Sequence, residues 1–198
     1  NHKIKVDMTE AAALRAACKA ENKSVSYNDI ILFALSRALR AYPYMNARVE
    51  DGVIHRFSRV HMGVAVAVPN GLIVPTLRDA DTLSLAEIHA RTSELAKKAQ
   101  SGALAAEEYS GGTFTLSNLG MYGIKHFAAV INPPHGTILA VGAGEERGRG
   151  DVDQAGGKAA GDFGEKAVAV ACTDNDAAGL GVDVFDGTQD TLTEVAAG

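Results

Sequence analysis

Residues 111–121 read Gly111-Gly112-Thr113-Phe114-Thr115-Leu116-Ser117-Asn118-Leu119-Gly120-Met121. Thr113 to Ser117 is a β-branched and aromatic run, which predicts a short strand. Paired glycines precede it, and Gly120 and Gly123 follow it at the spacing of a tight turn. A serine at the end of such a strand invites two readings. It caps or bonds its own backbone, or it presents a hydroxyl beside a turn that lets another molecule approach.

Working outward, the upstream run Val66-Ala67-Val68-Pro69-Asn70-Gly71-Leu72-Ile73-Val74-Pro75 reads as strand, turn, strand. The strand before the turn is predicted over His61 to Val68, its valines alternating with alanines as though both faces were covered. Another strand is predicted over Val53 to Phe57. Downstream, Ala128 to Asn132 and Thr137 to Val141 read as strands around Pro133-Pro134, and Asn132 is held extended by the proline after it. Three helices fit between the strands. Thr9 is a plausible N-cap for an Ala-rich helix to Ala20. Ser26 and Asp29 form a capping-box pattern before an apolar helix to Ala41, wide enough in apolar surface to be buried on most sides. Ser84 and Glu87 repeat the box, and that helix ends near Gln100 with Gly102 beyond it. Lys3 to Asp7 and Ala167 to Cys172 complete the strands. Residues 142–166 are rich in glycine and predict a long loop.

The length of 198 residues suits one domain with a sizeable core, and no internal repeat divides it. The chain is therefore expected to be a single domain over 1–198. Nineteen Lys and Arg against 24 Asp and Glu give a net charge of −5, with no basic run to suggest a nucleic-acid face. No stretch has the apolar length of a membrane span. Cys18 and Cys172 lack the number and spacing of a disulfide framework or metal site, and fit a reducing compartment. The first residues carry neither an initiator Met nor a signal pattern, so a longer parent or a trimmed leader is expected.

Taken together, the strand-turn-strand over 66–75 with Arg78-Asp79-Ala80, the serine loop over 111–121, and Ile131-Asn132-Pro133-Pro134 with Ile138 to Gly142 resemble one family in order and spacing. It is the dihydrolipoamide acyltransferase family, the cores of 2-oxo acid dehydrogenase complexes. The resemblance spans roughly residues 4 to 147. It implies an α/β two-layer sandwich of the chloramphenicol acetyltransferase type, a mixed sheet with flanking helices. It further implies a homotrimer that builds a cage, with a lipoyl domain, a decarboxylase and a flavoprotein dehydrogenase as partners. The implied setting is the cytoplasm or the mitochondrial matrix. Coenzyme A is the implied substrate and a partner domain carries the lipoyl group, with no metal. In such a site a base takes the coenzyme A proton, the thiolate attacks the acyl-lipoamide thioester, and a serine hydroxyl donates to the oxyanion.

Carried over residue by residue, the resemblance makes Ser117 the oxyanion donor. Asn118, Gly120, Met121 and Asn132 become candidates to border coenzyme A or lipoamide. The tail departs from the pattern. The family signature there reads Asp-His-Arg, two apolar residues, then Asp-Gly. One alignment puts Asn175 in the histidine's place. The other matches Asp186-Gly187 to the Asp-Gly and puts Val182 there. Asn175 and Asp186 are the tail's catalytic candidates, and neither alignment supplies the usual base, because an amide takes no proton at neutral pH. His61 and His89 read as packing or surface residues, and His126 and His135 as weak substitutes for the base. Three expectations compete: acyl transfer in a 2-oxo acid dehydrogenase complex, an inactive core scaffold, and a stand-alone acetyltransferase on a small molecule.

Overall fold

The structure is a computed structural model that describes residues 2–145 and the backbone of 167–174. Its centre is a six-stranded sheet in the order β1-β10-β9-β8-β4-β7. These strands are β1 (His2–Asp7), β4 (Met62–Val64), β7 (Thr76–Leu77), β8 (Phe114–Asn118), β9 (Thr137–Val141) and β10 (Ala167–Asp174). β8 runs parallel to both β4 and β9, while β7, β10 and β1 pair antiparallel. Two separate ribbons stand off this sheet: β2 (Ala47–Glu50) with β3 (Val53–Arg56), and β5 (Val66–Val68) with β6 (Gly71–Ile73).

Helices α1 (Thr9–Ala20), α2 (Tyr27–Ala41) and α3 (Leu85–Ser101) complete the two-layer α/β sandwich expected from the sequence. Leu32 and Leu39 of α2 and Ile88 of α3 join Met62, Leu77, Phe114, Leu116, Leu139 and Val141 of the sheet in one buried cluster. Each large side chain in it contributes about 1.5–3 kcal/mol by leaving water. Both capping boxes form. Ser26 Oγ accepts from Asp29 N at 3.1 Å while Asp29 Oδ2 accepts from Ser26 N at 2.8 Å. Ser84 and Glu87 repeat this at 3.3 and 2.8 Å. Gly102 ends α3 at φ 70°, a left-handed turn natural to glycine.

Several expectations change. Thr9 does not cap α1 with its side chain; Asp7 Oδ1 accepts from both Thr9 N and Thr9 Oγ1. The strand expected over His61 to Val68 breaks after Val64, because Ala65 N still reaches Leu116 O while Val66 onward pairs with β6. That hairpin leaves Ala67 exposed, so its two faces are not both covered. α2 buries one stripe, Asp29, Leu32, Ser36 and Leu39, and exposes Ala34 and Ala38 on the other side. Ala128 to Asn132 is not a strand, since it finds no ladder partner among the described residues and Val130 is 87% exposed. β2 escapes detection because Arg48 and Glu50 dilute its apolar signal.

Candidate functional site

Side chains alternate across a strand, and directly paired residues share a face. Phe114 and Leu116 of β8 therefore point to the helices and are buried in the core. Thr113, Thr115 and Ser117 point to the opposite face. Register adds Gly63 opposite Thr115 and Thr76 opposite Gly63. On the other side it adds Ile138 opposite Thr115 and Ala140 opposite Ser117. Ser117 thus shares its face with Thr115, Gly63, Thr76 and Ala140, and with the apolar Ile138. It is half-buried, and its hydroxyl makes no hydrogen bond among the described residues. The backbone-bonded reading of this serine is not what the structure shows.

Past Ser117 the chain turns sharply. Asn118 points to the helix side, where its Nδ2 donates to Asn28 Oδ1 at 3.3 Å and its Oδ1 accepts from Gly120 N at 2.8 Å. Its amide is thus engaged in shaping the turn. Gly120 has no room for a side chain, because a Cβ there would lie 2.9 Å from Gly142 O. The turn closes on Gly123 at φ 73°. Met121 projects from it, 82% exposed. Asn132 is half-buried further along, and its carbonyl accepts from His135 N at 3.0 Å.

His135 lies on the Thr115 side of the sheet, only 8% exposed, with Nδ1 bonded to Thr115 Oγ1 at 2.5 Å. Burial, reinforced by the nearby Arg48 guanidinium, lowers its pKa to about 4. A second network buttresses the start of the serine strand. His61 N donates to Thr113 Oγ1 at 3.0 Å, and Thr113 Oγ1 donates to Asn46 Oδ1 at 2.6 Å. Asn46 Nδ2 in turn donates to Phe57 O and Arg59 O. His61 Nδ1 accepts from Asp79 N at 3.1 Å, and burial lowers the His61 pKa.

The remaining histidines lie elsewhere. His89 Nδ1 sits 2.8 Å from Asp29 Oδ2 on the helix layer, the far side of the sheet from Ser117. Burial opposes charge on Asp29, but bonds from Ser26, His89 and Thr92 prevail and lower its pKa. His126 is exposed on the segment after the turn. An open groove of ≈ 790 Å³ lies along β2–β3, lined by Arg48, His55, Arg56 and Phe57 among others, and none of the expected site residues borders it. Among the described residues no group of three or more His, Cys, Asp or Glu could hold a metal, and no helix is long and apolar enough to cross a membrane. Asn175, Val182, Asp186 and loop residues 146–166 lie outside the described residues. Ser117, Asn118 and Gly120 are thus neighbours along the chain, with Ser117 and Asn118 on opposite faces of the sheet, while Asn132 connects through His135 to Thr115 on the Ser117 face. Sequence reasoning missed Thr115, Asn46 and Asn28. Only the two-residue step from Thr115 to Ser117 was a signal it could have used.

Residues 1–158 match the family profile of the 2-oxoacid dehydrogenases acyltransferase (catalytic domain). The chain belongs to this acyltransferase family. Its relatives agree with that membership. It is 41% identical over 145 residues to the dihydrolipoyllysine-residue acetyltransferase component of the pyruvate dehydrogenase complex of Zymomonas mobilis, covering 73% of this chain and 32% of that one. It is 47% identical over 135 residues to the corresponding component of Rhizobium meliloti, covering 67% and 30%. The chain thus spans about a third of the length of the curated relatives it matches. Among solved structures, the dihydrolipoamide acetyltransferase of Azotobacter vinelandii superposes with a TM-score of 0.77 at 31% identity, over 86% of this chain and 70% of that one. That enzyme was studied for the catalytic roles of a serine, a histidine and an asparagine. A cubic core of the pyruvate dehydrogenase multienzyme complex superposes at 0.76 and 30% identity, over 86% and 70%. Chloramphenicol acetyltransferase, at 18% identity and TM-score 0.52, shares the fold.

Proposed function

We propose that this acyltransferase core moves an acyl group between dihydrolipoamide and coenzyme A, with Ser117 as the oxyanion donor. One observation carries the reading: the Ser117 hydroxyl has no bond among the described residues and stands on the sheet face it shares with Thr115, beside a turn built by Asn118 and Gly120. In the forward step the coenzyme A thiolate forms a bond to the thioester carbon. The carbonyl electrons move to oxygen, where Ser117 donates. Collapse breaks the bond to the lipoyl sulfur, and the proton lost by coenzyme A ends on that sulfur. Such a donor is typically worth about 3–4 kcal/mol in the transition state.

Asn118 and Gly120 in this reading shape the turn along which the thiol-bearing arm passes. Met121 and Asn132 border it. Asn175 and Asp186 complete the site from the tail. An amide accepts no proton near neutrality and an ordinary carboxylate, of pKa about 4, is a weak base there, so in this reading the thiolate comes largely from ionisation of coenzyme A in solvent. The exposed apolar side chains Met121, Tyr122, Ile124 and Val130 support a subunit interface on this side, as a homotrimer within a larger cage would make. Lipoyl domain, decarboxylase and flavoprotein dehydrogenase are the partners this assembly implies, in the cytoplasm or the mitochondrial matrix.

The test is transfer from acetyl-dihydrolipoamide to coenzyme A by the purified chain, followed from pH 6.5 to 8.5. Saturable transfer above buffer whose rate climbs with the thiolate fraction supports the reading. A rate no faster than buffer at every pH refutes it and leaves a scaffold.

A further inference from the structure

We propose that His135 is a positioning residue for the acyl-transfer site: through Thr115 it fixes the sheet face on which Ser117 stands. The inference rests on the functional reading above, and four observations carry it. First, the imidazole occupies a slot made by missing side chains. A Cβ at Gly112 would fall 2.6 Å from both Cε1 and Nε2 of the ring, and one at Gly63 would fall 3.3 Å from Cε1. Second, the ring is bonded to Thr115 Oγ1 at 2.5 Å, and Thr115 precedes Ser117 by two residues on the same face of β8. Third, the backbone behind the ring is anchored. His135 N donates to Asn132 O, Gly136 N to Ala47 O and Val49 N to Pro134 O, each at 3.0 Å. Fourth, the Ser117 hydroxyl has no hydrogen bond among the described residues. Among the described residues, that hydroxyl is directed by how firmly its strand and neighbours are held.

The same geometry argues against His135 as the base. Its Nδ1 is committed to Thr115, its ring is enclosed, and the Arg48 guanidinium nearby disfavours an imidazolium. It acts by holding still. A displacement of about 1 Å at a reacting group can cost on the order of 100-fold in rate, so loss of this clamp is expected to appear in kcat.

The experiment compares His135→Leu, His135→Gln and Gly112→Ala in the full chain. The Leu side chain fills the slot without a bond, Gln restores a donor and an acceptor, and Ala at 112 pushes the ring out. We expect His135→Leu and Gly112→Ala to lower kcat by about tenfold or more with KM for coenzyme A within about twofold. His135→Gln should recover most of the rate. An unchanged kcat in either of the first two, or Gln no better than Leu, overturns the proposal. A second readout needs no acyl transfer. Ser117→Cys is combined with each change, and alkylation of the thiol at position 117 by iodoacetamide is followed by peptide mass. His135→Leu should shift that rate at least threefold and Gln should restore it; identical rates overturn the proposal. If the wild-type chain transfers no acyl group while the alkylation rates still respond, the functional reading fails and the clamp stands. Should the Leu chain not fold, Gly112→Ala decides the comparison.

Discussion

Acid should weaken this fold through His135, and the size of the effect follows from its surroundings. The ring is 8% exposed, pressed against Gly112 and Gly63, with Arg48 nearby. Its pKa falls from 6.5 to about 4. The sign is set by proton counting. Between those values the unfolded chain holds a proton on this imidazole and the folded chain does not, so stability falls as pH falls. The contribution is fully present above pH 6.5 and is lost progressively on the way down to the folded pKa. At pH 4.5 the loss amounts to about 2.5 kcal/mol, at 1.36 kcal/mol per pH unit of displaced titration. Asp29 and His61 also titrate with lowered pKa values, so the measurement must be a difference. Urea unfolding followed by circular dichroism at pH 7.5 and 4.5 would be compared for wild type and His135→Gln. The wild type should lose about 2–3 kcal/mol more than the variant across that interval. Equal losses would refute the buried, neutral imidazole.

Three further outcomes follow from other parts of the molecule. Asn46→Ala should cost about 1–3 kcal/mol in urea unfolding, because it removes the buried acceptor of the Thr113 hydroxyl, which keeps only its bonds with His61, and the donor to the partly buried carbonyls of Phe57 and Arg59. Gly142→Ala should destabilise more than Gly120→Ala, since a Cβ at 142 collides with the Lys125 carbonyl whereas one at 120 meets Gly142 O at 2.9 Å; thermal midpoints give the order. The logarithm of the transfer rate should rise with a slope near one from pH 6.5 to 8, as the thiolate fraction of a thiol of pKa about 8.5 does. A plateau near pH 7 would instead reveal an internal base of histidine type.

Much of the architecture was legible in the chain because its signals are local. The boxes at Ser26 and Ser84, the turn at Gly102 and the β-branched run before Ser117 each depend on a few neighbouring residues. What failed was non-local. Ala128 to Asn132 has strand composition, yet a strand needs a partner, and composition does not say whether one lies alongside. The end of β4 at Val64 depends on its partner β8, about fifty residues away, which composition around residue 64 does not reveal. The site divides in the same way. Ser117 stands out through its flanking glycines. Thr115, His135 and the two glycines around the ring meet only through register, with His135 twenty residues beyond Thr115. The tail candidates Asn175 and Asp186 rest on the resemblance alone.

Ser117 as oxyanion donor is tested most directly by kcat for transfer from acetyl-dihydrolipoamide to coenzyme A, measured side by side for the wild type and Ser117→Ala. Loss of the hydroxyl should lower kcat by about 100- to 1000-fold with the fold intact. Equal rates in the two chains would contradict the role assigned to this serine.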